Sequence, residues 1–301
     1  MPELPEVETV VRGLRLHLPG RRIVELRLGK KTDFIDDAVA LGERVPGSLI
    51  RAVRRHGKFL VLELESGANG EGGVASSELL LVIHLGMTGQ LTVVAAETIA
   101  KPHTHVFFVL DDRRELRFCD PRRFGRMLVA TPADGERILG PLGADPLEVS
   151  EAEFRRLITS RRARIKALLL DQTVFRGMGN IYTDESLWRA KIHPARLGVN
   201  LTPEEIKKLQ RAVRAILEEA IKLGGSSISD YVGADGEPGE FQIRHRAYDR
   251  EGKKCFRCGT KIRRMIVAGR SSYFCPKCQR APRGLRAVAA KAQTKTARGR
   301  S

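Results

Sequence analysis

Apolar residues recur at Val7, Val10, Val11, Leu14 and Leu18. This three-and-four spacing marks one face of a helix, and the early acids Glu3, Glu6 and Glu8 suit its positively polarised start. From residue 21 to about 130 the pattern shortens into runs at 23–26, 49–53, 59–64, 79–83 and 106–110, rich in Val, Ile, Leu and Phe and parted by Gly- and Asp-rich turns. Strands in succession, with no helical pattern between them, predict a sandwich or barrel. Helical spacing returns from about 151, over 162–172 and 180–190. Thr202-Pro-Glu-Glu205 is a capping box with proline in the first turn, opening a helix that should reach residue 223. The Gly/Ser-rich segment 224–239 then predicts a loop, either a lid over a pocket or a linker. The fold class expected is α+β, with an N-terminal β-sandwich and a helical second domain.

The chain has 301 residues, 42% of them hydrophobic, enough for two cored domains and a smaller appendage. A formal charge of +17 and a pI near 10.1 call for a polyanionic partner. No apolar run approaches 18 residues, so nucleic acid is favoured over a membrane. The first apolar residues alternate with Glu3, Glu6, Glu8 and Arg12, unlike a secretory signal, and a cytoplasmic protein is expected. Residues 279–301 hold seven cations and no acid, so the remainder still carries +10. That tail reads either as a nonspecific DNA-affinity element or as a solvated end. A second low-complexity stretch, 66–78, reads as a flexible hairpin insertion.

Four of the five cysteines form two knuckles, Cys255-Phe-Arg-Cys258 and Cys275-Pro-Lys-Cys278, sixteen residues apart. Each knuckle can wrap one side of a tetrahedral metal, and the spacer suits a β-hairpin. One structural zinc is expected, with no open coordination position. Two disulfides would conflict with a cytosolic setting, and a redox pair would not be duplicated. Between residues 255 and 278 stand Arg257, Lys261, Arg263, Arg264, Arg270 and Lys277 without any acid, so the hairpin should face phosphates. Cys119 lies alone in a strand-like run and reads as a small core residue.

The chain begins Met1-Pro2-Glu3. Removal of Met1 would make Pro2 a terminal secondary amine, titrating near the ~7.7–8.0 of an α-amine rather than the ~10.4 of a lysine. Such an amine forms a cationic iminium with an aldehyde or ring-opened sugar, and Glu3 beside it is placed to move protons. Taken by themselves, however, Pro2 and Glu3 could simply begin a helix.

Pro2-Glu-Leu-Pro-Glu-Val-Glu8, His84-Leu-Gly-Met-Thr-Gly89, Asp120-Pro-Arg-Arg-Phe-Gly125, Gly179-Asn-Ile-Tyr182 and the paired cysteine knuckles occur in this order. Together they resemble bacterial formamidopyrimidine-DNA glycosylase over residues 2 to about 278. The resemblance implies a catalytic N-terminal helix on a β-sandwich (1–133), a linker (134–150), a helix-two-turn-helix domain with a lesion-recognition loop (151–240), a zinc finger (241–280) and a basic tail (281–301). It implies a monomer acting on duplex DNA that contains oxidised purines or abasic sites, with DNA between the domains. Pro2 would attack the sugar C1′, Glu3 would protonate the ring oxygen, and β- then δ-elimination would follow. Lys58 matches the family's strand lysine near the lesion's phosphates, and Arg270 its hairpin arginine on the lesion phosphodiester. Met87, Arg122 and Phe124 match the residues that fill the hole left by an extruded base, an event costing a few kcal/mol. The glycines beside Met87 and Phe124 independently suggest exposed turns. Asn180, following the turn Arg176-Gly-Met-Gly, is expected to hold a phosphate at a helix N-terminus, with His103 and Lys166 as further DNA contacts.

The chain departs from the family pattern at the 66–78 insertion, at the tail, and at Asp249, where glycine is common. Two other readings compete. An endonuclease VIII-like enzyme for oxidised pyrimidines shares the terminal proline but usually has glycine where this chain has Leu4. A non-catalytic zinc-ribbon DNA-binding protein would need only the charge and the cysteines.

Overall fold

The computed structural model describes residues 1–66, 78–227 and 231–282; most of the expected insertion and tail lie outside them. Two compact units emerge, one made of 1–143 with 218–243, the other of 144–217 with the chain from 244 onward.

In the first unit, helix α1 (Leu4–His17) precedes strand β1 (Ile23–Leu28), a short helix α2 (Ala38–Arg44), and strands β2 (Leu49–His56), β3 (Phe59–Glu65), β4 (Glu78–His84), β5 (Gln90–Ala95), β6 (Thr104–Leu110), β7 (Arg114–Cys119) and β8 (Arg126–Ala130). They form two antiparallel four-stranded sheets, ordered β1-β6-β7-β5 and β2-β3-β4-β8. All five runs expected as strands are strands. The predicted stripe of α1 is fully buried: Val7, Val10, Val11, Leu14 and Leu18 share one core with Ile50, Leu60 and Leu62 of one sheet and Phe108, Leu116 and Phe118 of the other. The outer side of α1 is tied down by charge, with Arg55 Nε donating to Glu8 at 2.9 Å and Arg15 Nε to the Val53 carbonyl at 2.8 Å.

The expected linker, 134–150, is not bare of structure, and the division between the two units falls within it at 143/144. Helix α3 (Pro132–Leu139) fills its first part, capped by Thr131, whose Oγ1 accepts from Asp134 N. Residues 218–243, expected in the helical domain as far as 240 and in the zinc finger beyond it, cluster with the first unit, where Tyr231 and Ala234 are buried in the sandwich core. Ala234 also accepts from Val93 N through its carbonyl.

The second unit holds α4 (Glu151–Thr159), α5 (Ile165–Leu170), α6 (Asn180–Ala190) and most of α7 (Pro203–Lys222), then the hairpin β9 (Arg263–Val267) and β10 (Arg270–Phe274). The predicted capping box opens α7: Thr202 Oγ1 accepts from Glu205 N and Glu205 Oε2 accepts from Thr202 N. Helix α5 is shorter than expected. Arg164 is extended and pairs with Leu197 before it, and Asp171 Oδ1 accepts from Thr173 N after it, turning the chain. No helix among the described residues is long and apolar enough to cross a membrane.

Candidate active site and nucleic-acid interface

Pro2 and Glu3 are both buried at the start of α1, where Glu3 is the N-cap. Glu6, on the first helical turn, supplies what holds them. Its Oε2 accepts from Glu3 N at 2.8 Å, and its Oε1 accepts from Ser226 N at 2.7 Å. The Glu6 carbonyl accepts from the Tyr231 hydroxyl at 3.1 Å. A Cβ on Gly225, whose φ is +81°, would stand 2.8 Å from Glu6 Oε1. The segment beginning at Gly224, read from sequence as a lid or linker, is thus anchored to the chain's terminus. Sequence reasoning gave Glu6 only a helix-dipole role, because its second partner lies 220 residues away.

Lys58 is the second residue of a two-residue turn joining β2 to β3, with Gly57 before it at φ +62°. Glycine in first place is the signature of a type II′ hairpin, whose twist matches that of the strands. Lys58 is buried, and nearby His84 stays neutral: burial, then the charges of Lys58 and Arg126, push its pKa down to about 4. The neutral Nδ1 accepts from Gly86 N at 3.1 Å.

Gly86 begins the turn that carries Met87. At φ +63° it lies so close to the neighbouring turn that a Cβ would meet the Phe124 carbonyl carbon at 2.3 Å. Asp120, fully buried, ties the two turns together: its Oδ1 accepts from Thr88 Oγ1 and its Oδ2 from Gly125 N. With their backbones fastened in this way, Met87 and Phe124 remain 38% and 50% exposed. The exposed Arg122 stacks its guanidinium 4.6 Å from the centre of the Phe124 ring. The three residues expected to act together are therefore one exposed cluster of apolar and cationic groups. His103 is exposed in a left-handed turn (φ +66°), and its carbonyl accepts from Asp120 N.

In the second unit Asn180 is the first residue of α6, whose first turn contains no acid and whose N-cap, Gly179, gives no side-chain bond. The preceding turn is shaped by Gln172, which donates to the Leu170 and Met178 carbonyls and accepts from Gly177 N. Asn180 Oδ1 is a buried atom without a hydrogen-bond partner. Because amide oxygen and nitrogen are assigned by their partners, an anion at this helix start would be met by the amide N–H₂ instead. Arg270 is exposed directly after the Ala268-Gly269 turn, both of whose residues have positive φ, as a type I′ hairpin requires.

Lys166 departs from expectation. Its side chain is 0% exposed, and its Nζ donates to Asp184 Oδ1 and to the Ser271 carbonyl, each at 2.7 Å. In this conformation it offers no donor to a phosphate at the surface. Sequence reasoning missed Asp184 and Glu185, although two adjacent acids in a helix buried from Ile181 to Trp188 were a usable signal. Burial pushes the Asp184 carboxyl above the usual range, against the pull of Lys166 and of Tyr273 N–H. Glu185 is also pushed up by burial while accepting from the backbone N–H groups of Ala247, Tyr248 and Arg246.

The sulfurs of Cys255, Cys258, Cys275 and Cys278 all lie within 4.8 Å of one another. Two of the separations are 3.4 and 3.5 Å, far beyond a disulfide bond and near the ~3.8 Å edge of a tetrahedral zinc–thiolate site with ~2.3 Å bonds. Trp188 Nε1 and Cys278 N donate to the sulfurs of Cys255 and Cys275, as suits thiolates. The donor set fits one closed, structural zinc. Asp249 has φ +54°, the left-handed conformation that favours glycine; its Oδ1 accepts from the Tyr273 hydroxyl at 3.5 Å.

Three family models match the chain in order. They are the formamidopyrimidine-DNA glycosylase N-terminal domain over residues 1–127, its H2TH domain over 142–232, and a zinc finger found in FPG and IleRS over 252–281. Formamidopyrimidine-DNA glycosylase of Pelotomaculum thermopropionicum is 44% identical, covering 93% of this chain and 99% of its own length. That of Solibacter usitatus is also 44% identical, with 93% and 100% covered. The crystal structure of the MutM (Fpg) protein from Thermus thermophilus superposes with a TM-score of 0.78 at 42% identity, covering 93% of this chain and all of that one. The complex of Lactococcus lactis Fpg with abasic-site DNA gives 0.80 at 33% identity, with the same coverage.

Proposed function

Since the chain belongs to the formamidopyrimidine-DNA glycosylase family, we propose that its terminal Pro2 is the nucleophile with which it excises oxidised purines from duplex DNA. The protein is a DNA glycosylase and abasic-site lyase of base-excision repair, with one structural zinc. Relatives in this family have been captured on DNA carrying an 8-oxoguanine analogue, Fapy-dG or an abasic site. The observation that carries the residue assignment is the buried Pro2-Glu3 terminus fastened by Glu6.

Once Met1 is removed, the Pro2 nitrogen bonds to C1′ of the damaged nucleotide and the bond from C1′ to the base breaks, its electron pair leaving with the base. The new C1′-bound nitrogen, cationic after attack, releases its remaining proton and regains its lone pair; Glu3 gives a proton to the ring oxygen as the bond from C1′ to that oxygen breaks, and the lone pair forms the iminium. Being cationic, the iminium acidifies C2′, so loss of that proton expels the 3′ phosphate; a second elimination expels the 5′ phosphate. Buried Lys58 supplies positive charge beside the reacting nucleotide's phosphates. The exposed cluster of Met87, Arg122 and Phe124 enters the stack where the base has left. Apolar atoms replace the lost stacking, and the guanidinium meets acceptors on the orphaned partner base. Asn180, Arg270 and the exposed His103 take phosphates, each neutralised phosphate adding ~0.9 to the log–log salt slope.

The test is borohydride trapping on duplex DNA with 8-oxoguanine opposite cytosine, followed by peptide mapping. A crosslink at Pro2 is expected. Intact DNA binding with neither crosslink nor nicking would overturn the assignment and favour a non-catalytic DNA-binding protein.

A further inference from the structure

The buried Lys166–Asp184 pair is an expensive feature in energetic terms. Two ions withdrawn from water each lose their hydration, and an apolar pair of similar volume often serves stability as well or better. What this pair does that an apolar pair cannot is hold backbone. Asp184 Oδ2 accepts from Tyr273 N at 2.9 Å, and Lys166 Nζ donates to the Ser271 carbonyl at 2.7 Å. Within β10 both tethers therefore fall just beyond Arg270, on residues one and three positions later.

The same helix reaches the zinc ribbon a second time through the adjacent acid. Glu185 gathers the N–H groups of Arg246, Ala247 and Tyr248, the segment that leads into the ribbon. Asn180 stands at the start of this helix, four residues before Asp184. Arg270 itself follows an exposed two-residue turn, so its own side chain does not fix where its guanidinium sits. Its place must be inherited from β10.

We propose that Asp184, oriented by Lys166, is a positioning residue that sets Arg270 at a fixed distance from Asn180, so that α6 gauges two phosphate contacts on the DNA backbone. This rests on the reading of Arg270 and Asn180 as phosphate ligands. It assigns Lys166 a function different from the direct DNA contact expected of it.

A double-mutant cycle tests this, using the full zinc-loaded protein and a duplex bearing a tetrahydrofuran abasic analogue. Affinity is measured across a salt series. Arg270→Ala should flatten the log–log slope by about 0.9, one phosphate's worth. Asp184→Asn, whose single amide oxygen cannot accept from both Lys166 Nζ and Tyr273 N, should flatten it equally and weaken binding about tenfold. In the Arg270→Ala background Asp184→Asn should then add less than a twofold loss, with zinc still at one per chain. Should Asp184→Asn not yield folded protein, Lys166→Met/Asp184→Leu takes its place in the cycle, since it removes both charges and both tethers while keeping apolar volume. Additive losses, a slope that Asp184→Asn leaves unchanged, or zinc lost from the substituted protein would overturn the proposal. If Arg270→Ala itself left the slope unchanged, Arg270 would be withdrawn as a phosphate ligand and the positioning role would fall with it.

Discussion

Glu6 and Ser226 are joined by a 2.7 Å hydrogen bond across 220 residues of sequence. The same carboxylate accepts from Glu3 N, so one buried side chain fixes both the Pro2-Glu3 terminus, the proposed nucleophile's seat, and the segment after α7. Neither N–H can turn to water if the carboxylate is lost, and a buried unpaired donor costs about 1–3 kcal/mol.

Glu6→Gln keeps a single acceptor oxygen and sets an amide donor against one of the two N–H groups. Excision of 8-oxoguanine, followed in single-turnover experiments, should slow by about tenfold or more, with zinc content unchanged. A rate equal to that of the unsubstituted protein would show that the anchoring of the terminus does not matter to the chemistry.

Gly86→Ala addresses the exposed cluster without touching any of its three side chains. The new Cβ would overlap the Phe124 backbone at 2.3 Å, and the φ of +63° is strained for alanine. The two turns must separate, displacing Met87 from Phe124. Selectivity for lesion-bearing over undamaged duplex should fall at least tenfold while binding to undamaged DNA holds; retained selectivity would remove these turns from base extrusion.

Removing the metal tests the ribbon. Cys275→Ser leaves three thiolates, and both zinc and DNA affinity should be lost together, because Arg270 rides on the hairpin between the knuckles. The sandwich has its own core and should still melt cooperatively. Full DNA affinity in metal-free protein would take the ribbon out of the interface.

His193 carries a pH signature. Burial pushes its pKa down from 6.5 to about 4, and its ring packs edge-on against Phe274. The unfolded chain therefore binds the proton first. The contribution is complete above about pH 6.5 and is lost as pH falls toward 4, amounting to at most about 3 kcal/mol. His193→Asn retains an acceptor for Ala195 N, which His193 Nδ1 now accepts, but does not titrate. The difference in melting temperature between the two proteins should change across that window and be flat above it. A difference independent of pH would mean that His193 is not buried as a neutral ring.

The sequence by itself determined the features that depend on neighbours along the chain. The stripe of α1, the five strands, the capping box at Thr202 and the paired knuckles were all legible because period, cap and metal spacing are local properties. The exposed settings of Met87 and Phe124 were legible too, from the glycines beside them. Tertiary structure alone decided which distant groups meet. Lys166 looks from sequence like any cation of a basic protein, and only the fold sets Asp184 and the Ser271 carbonyl around it in place of solvent. Residues 218–243 continue from the end of α7, most of which belongs to the second unit, yet Tyr231 and Ala234 find their apolar partners in the sandwich core. Glu6 acquires its function from a backbone N–H that no periodicity near residue 6 could indicate. Local pattern selects an element, whereas the burial of a charge or polar group depends on partners that chain folding brings from elsewhere.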